Sequence, residues 1–415
     1  MINISSKLQT PIARAAKTLR QIPKEKLAAD FPLEKVDIKE LEGIQSGIPL
    51  FDGISLEEIK FLVKNFSVLN IARGCASGCG HCLRDAKLPN GQSLTTILWD
   101  DLKRFAAGFE SLNERLGVDV LKGNKYLVLH DDFNPPEFLA KDINGNSFNF
   151  ADAVKLVFEK LHIPIETVTS GWNKADMRSQ KAVEELVDYY IKHPEANSLT
   201  SVSINPFHSL MAKSFNAADA GKPEQARFWK EIYTNRIAHA IKEFLPLFKE
   251  NKASLIYRHA GADAAERRVG AKETFALYTE VYDMLKKLVG EDLKTIESLN
   301  PQRFEKSLPQ HFIEPKGRGR KYFSQSQNIQ KQQELIQEKI AWNNASPAEK
   351  VQDAYNYTIK EIDINGDVYA GTLSENLVKT GISLNYKNKG VQTPEMFSDI
   401  KLSQLESEDI KKFLG

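Results

Sequence analysis

Residues 71–82 read Ile71-Ala72-Arg73-Gly74-Cys75-Ala76-Ser77-Gly78-Cys79-Gly80-His81-Cys82. All 3 cysteines of the 415-residue chain lie in this run, spaced Cys-x3-Cys-x2-Cys. An odd number of thiols crowded into one glycine-interleaved loop does not make a disulfide framework. It suits a reducing compartment and convergence of the thiolates on one metal centre. The absence of side chains at the glycines lets such a loop wrap closely around what it holds.

Working outward, the run begins in a strand-like segment, Val68 to Ala72, and opens a region where short β-rich runs alternate with long amphipathic ones. Further strands are predicted at Tyr126 to His130, Ile165 to Ser170, Thr200 to Asn205 and Ser254 to Arg258, with a weak one at His311 to Glu314. Between them apolar residues recur at three- and four-residue steps near Ile97 to Leu116, Ala151 to Leu161, Lys174 to Ile191, Gln225 to Glu250 and Thr274 to Leu288, which predicts helices. This alternation is the pattern of βαβ units and a parallel sheet, whose strands' C-terminal ends form the ligand-binding face. Strand units of this number close only part of a barrel.

Outside that region a short helix is expected at Leu56 to Phe66. Residues 1–24 carry Lys7, Arg14, Lys17, Arg20 and Lys24 with no acidic residue, a bias shared by mitochondrial transit peptides and by basic surface helices. The apolar spacing of Ile12, Ala15, Ala16 and Leu19 favours the helix. Beyond Glu314 come a Gly-interleaved basic stretch (Lys316, Arg318, Arg320, Lys321), a Gln-rich helix at about Ser326 to Ala341, and a hairpin in which Tyr357 to Ile364 and Val368 to Gly371 flank Asn365-Gly366-Asp367. The expected organisation is a helical extension (1–65), an α/β partial (β/α)6 TIM-like barrel (66–315) and an α+β C-terminal portion (316–415).

Lys plus Arg total 56 against 55 Asp plus Glu, a net charge of +1, so no global field draws the chain to bulk nucleic acid or anionic membrane. Hydrophobic residues at 41% and charged residues at 27% describe an ordinary globular composition. No apolar run has the length of a membrane helix and no secretory core opens the chain, so a soluble cytoplasmic protein is expected.

The cysteine spacing directly after the first strand resembles the radical S-adenosylmethionine (radical SAM) superfamily, whose loop follows strand one of a partial barrel. His81 occupies the slot where that family usually has an aromatic residue. A 4Fe-4S cubane held by only three thiolates, here Cys75, Cys79 and Cys82, keeps one iron open to an external ligand. The resemblance implies that the amino and carboxylate groups of SAM take that iron. Reductive cleavage then yields methionine and a 5'-deoxyadenosyl radical that abstracts hydrogen from a substrate, with an external reductant such as flavodoxin or ferredoxin supplying the electron.

By the same resemblance Asp131 and Asp132, ahead of Asn134-Pro135-Pro136, stand where the family holds the SAM amino group, although the Gly-Gly-Glu form is lacking and an Asx turn explains them equally. Ser203 and Asn205 share a strand face and are the expected ribose contacts. Arg258 suits capture of a carboxylate, from SAM or from substrate, or a surface ion pair. The substrate and the reaction subclass are not selected. Two readings from other classes stand beside this one: a non-catalytic iron–sulfur carrier or sensor on the same barrel, and a zinc-stabilised interaction module. The second is disfavoured because His81 adjoins Cys82 and is poorly placed as a fourth ligand.

Overall fold

The computed structural model describes residues 47–63, 66–75, 94–121, 126–130, 133–259, 269–290, 296–301, 359–371, 377–388 and 390–392, with Ser77, Cys79, Asn124 and Leu293. The basic N-terminal segment, His311–Glu314, Lys316–Lys321 and the Gln-rich helix lie outside these residues, as do His81, Cys82, Asp131 and Asp132.

The strands in chain order are β1 (Phe66–Leu69), β2 (Ala72–Arg73), β3 (Thr95–Thr96), β4 (Leu127–Val128), β5 (Leu139–Lys141), β6 (Ser147–Asn149), β7 (Ile165–Thr169), β8 (Asn197–Ile204), β9 (Ala253–Tyr257), β10 (Ile359–Ile362), β11 (Asp367–Gly371), β12 (Val378–Ser383) and β13 (Val391–Gln392). The α-helices are α1 (Leu56–Val63), α2 (Trp99–Leu116), α3 (Phe150–Leu161), α4 (Met177–Lys192), α5 (Ser209–Asp219), α6 (Pro223–Glu243), α7 (Leu245–Lys249) and α8 (Ala271–Val289).

The architecture is mixed α/β around an 8-stranded sheet of order β12-β11-β10-β1-β4-β7-β8-β9. Along β1-β4-β7-β8-β9 each strand is parallel to the last and is added on the same side. With right-handed crossovers, an order that never reverses places the connecting helices on one face of the sheet. The buried Thr167–Tyr190 hydroxyl pair, 3.2 Å apart, fixes α4 on the face carrying Ile165, Thr167 and Thr169. Among the described residues the sheet is open at both edges, and no closed barrel forms.

The C-terminal hairpin does not stand apart. β10 runs parallel to β1, with Val68 opposite Glu361 and Leu69 opposite Ile362, and turns back through Asn365-Gly366 into β11. Asp101 at the start of α2 accepts the Lys387 and Asn388 N–H groups at 2.9 and 3.0 Å, and Asn385 N–H donates to the Leu50 carbonyl. These bonds seal the returning chain against the N-terminal side of the core.

Several elements differ from expectation for identifiable reasons. The first strand stops at Leu69, and Ala72–Arg73 pairs instead with Thr95–Thr96 in a separate 3-stranded sheet. The helix expected over Gln225 to Glu250 is two helices: Pro246 cannot donate into the ladder, and the break falls at Phe244. Helix α3 starts at Phe150 because Asn149 and Asp152 form a reciprocal capping box. Helix α5 and the hairpin β5–β6 were not expected at all. No helix of the described residues is long and apolar enough to cross a membrane.

Candidate functional site

Side chains alternate across a strand, so the register assigns faces. Val68 lies opposite Val128 and Glu361, Val128 opposite Glu166, Val168 opposite Ser201, and Ser203 opposite Ile256. Continued to the strands' C-terminal ends, this puts Asn70, Ser170, Ser203, Asn205 and Arg258 on the face opposite the one that α4 covers, while beyond a bend at Leu129 the His130 ring packs against Phe133 and Phe150. Asn70, His130, Ser203 and Asn205 are all buried polar residues, a composition that a purely structural core does not favour.

Ser77 and Cys79 of the cysteine loop lie over this end. The loop leaves β2 through Gly74, whose φ of +100° is open to glycine and strained for other residues. Its root is fixed by Arg73, whose Nη2 meets Asp363 Oδ2 at 2.5 Å on the β10–β11 turn. Ser77 is buried, with its Oγ 3.0 Å from Ser170 Oγ at the end of β7, and its carbonyl accepts the Ser209 N–H at the start of α5. Cys79 Sγ accepts a hydrogen bond from Asn205 Nδ2 at 3.1 Å, at the end of β8. Cys75 and Cys79 are both partly exposed and neither is in a disulfide.

The electrostatics centre on one half-buried cation, Arg258. Burial lowers the pKa of the Arg258 guanidinium, the Cys79 sulfur opposing that shift, and Arg258 Nε is buried with no hydrogen-bond partner among the described residues. Burial also pulls His130 down to about 4, so its ring is neutral at pH 7, with Nε2 accepting the Val168 N–H at 2.9 Å. Tyr233, buried and raised in pKa by desolvation, has its Oη 2.6 Å from the Asn205 backbone nitrogen, which donates to it.

Behind the site, Asn134 organises the end of β7. Its amide donates to the Gly171 carbonyl at 2.7 Å and accepts from Thr169 Oγ1 at 2.8 Å. Arg236 also reaches the Gly171 carbonyl at 2.8 Å and pairs with Glu137 at 3.1 Å, both side chains buried. Gly171 has φ +74°, and a Cβ there would meet the Arg236 backbone oxygen at 3.0 Å.

Of the residues singled out from sequence, Cys79, Asn205 and Arg258 thus come together at one end of the sheet, with Ser203 on the same face and Cys75 two residues beyond β2. Asn205 is engaged with Cys79 rather than left open as the ribose contact alone. Ser77, Asn134 and Asp363 escape sequence reasoning, whereas Ser170, with Thr169, is the alternative ribose contact if Ser203 and Asn205 are not; an Asn before a Pro pair is the one local signal for the rest. No group of three or more His, Cys, Asp or Glu placed to hold a metal occurs among the described residues, which exclude Cys82. No family model matches the chain, and neither a curated protein nor a solved structure is significantly similar to it.

Proposed function

We propose that this chain is a radical SAM enzyme working at a single 4Fe-4S cluster held by Cys75, Cys79 and Cys82. The observation that carries the proposal is the seating of Ser77 and Cys79 of the cysteine loop over the C-terminal ends of β7 and β8, at the end of the sheet where the half-buried Arg258 also lies. The donor set fits the group: two partly exposed thiols of a three-thiol loop, one of them already receiving an N–H bond of the kind that supports thiolate sulfur. The one-directional order of β1, β4, β7, β8 and β9 supports reading the sheet as the wall of a partial barrel, with the polar face inward.

When bound, the cluster supplies one electron that cleaves SAM to methionine and a 5'-deoxyadenosyl radical able to take hydrogen from substrate. The chain's own residues do the rest. Arg258 offers a desolvated guanidinium to a carboxylate, Ser203 offers a hydroxyl on the same face, and Asp131 and Asp132 are assigned the SAM amino group. An external reductant such as flavodoxin or ferredoxin and a cytoplasmic site of action belong to the same reading.

The test is the electron paramagnetic resonance spectrum of the anaerobically reconstituted, reduced protein with and without SAM. A one-electron signal that changes on adding SAM supports an open iron; a cluster signal indifferent to SAM indicates the carrier or sensor; zinc at full occupancy with no restored iron absorbance removes the cluster.

A further inference from the structure

We infer that Asn205 is a positioning residue for Cys79, donating the hydrogen bond that raises the electron affinity of a cluster held through that sulfur. The inference rests on the iron–sulfur reading above and goes beyond it, because it assigns Asn205 to the metal centre instead of to the nucleoside.

The amide is oriented by bonds that do not involve the loop. Asn205 Oδ1 accepts the Phe207 N–H at 3.0 Å in an Asx turn, which leaves Nδ2 as the end facing Cys79 Sγ at 3.1 Å. The turn itself is anchored from below. The Asn205 N–H donates to Tyr233 Oη at 2.6 Å, and the Tyr233 ring packs against His208 with centroids 5.3 Å apart. Asn205, His208 and Tyr233 are all buried, so water does not compete for the amide. An N–H donor on a ligating sulfur stabilises the more electron-rich state of a cluster, and hydrogen bonds to sulfur together with local charge set its potential.

Asn205→Asp separates this role from a structural one. Aspartate keeps an oxygen for the Phe207 N–H and deletes the donor to sulfur; Asn205→Ala is the uncharged comparison. The midpoint potential of each reconstituted protein is measured by titration with dithionite in the absence of SAM, alongside iron content. The expected result is intact iron and a reduced-to-oxidised ratio at fixed potential at least tenfold lower in both variants, a downward shift of about 60 mV for one electron. Unchanged midpoints with weakened SAM affinity return Asn205 to the ribose and overturn the inference.

A variant-free measurement covers loss of the cluster in both proteins. Parent protein labelled with 15N-asparagine and reduced should show hyperfine coupling between the cluster spin and an asparagine side-chain nitrogen; absence of that coupling overturns the inference. Parent protein that takes up no reducible cluster overturns the iron–sulfur reading itself, a failure visible before either variant is made.

Discussion

Arg73 and Asp363 meet across 290 residues of chain, joining the root of the cysteine loop to the turn between β10 and β11. The two sides of the pair are unequal: side-chain exposure is 41% for Arg73 and 1% for Asp363. Asp363 Oδ1 also accepts the N–H groups of Asn365 and Asp367, at 2.8 and 3.1 Å. Arg73→Ala should therefore cost about 1 kcal/mol, as partly exposed pairs do. Asp363→Ala strips a buried turn of its acceptor and should cost about 2–4 kcal/mol, judged by urea unfolding. Equal effects of the two substitutions would mean that the turn bonds carry no weight.

The buried Arg236–Glu137 pair makes a second prediction. Both side chains are nearly inaccessible, and Arg236 also supports the Gly171 carbonyl. Removing the partner in Glu137→Ala leaves a buried guanidinium short of its counter-charge and should cost about 3–5 kcal/mol in urea unfolding. A loss below about 1 kcal/mol would mean that the pair is hydrated and not holding β7.

What was legible in the sequence has a physical boundary. Strands β1, β4, β7, β8 and β9 were each found within a few residues because β-branched runs between amphipathic helices are local signals. The β1–β10 pairing was not legible, because the chemistry of Ile359–Ile362 does not say which edge it joins. Asn144-Gly145 carries the same turn signal as Asn365-Gly366, but its strands are 3 residues each, too short for alternation to show. The cysteines declared themselves by spacing. Ser77 and Asn134 did not, since a loop hydroxyl and a loop amide acquire meaning only once the end of β7 lies against them.

His130 predicts a pH dependence of stability. Its folded pKa is lowered by burial to about 4, while the unfolded chain titrates near the ordinary 6.5. Between those values the unfolded state binds the extra proton, so stability falls as pH drops from about 6.5 toward 4 and is fully present above that window. The slope should approach about 1.4 kcal/mol per pH unit from this residue. His130→Gln retains an acceptor for the Val168 N–H and should flatten that part of the profile in urea unfolding followed against pH. A parent and variant with the same slope would show that His130 is solvated.

The loop is expected to fail in function before it fails in fold. Cys79 is partly exposed on a loop at the end of the sheet, so Cys79→Ala should leave the circular dichroism and thermal transition of the metal-free chain nearly unchanged while lowering iron retention severalfold or more. The same holds for Cys75→Ala. Full iron retention in the Cys79→Ala protein would displace that residue from the ligand set.

The most direct test of the account is the release of 5'-deoxyadenosine from SAM by anaerobically reconstituted protein given dithionite, with the Cys79→Ala protein alongside. The account predicts 5'-deoxyadenosine from the parent, with about four irons per chain, and none above background from the variant. Parent protein that carries a complete cluster, accepts an electron and still leaves SAM intact would contradict it.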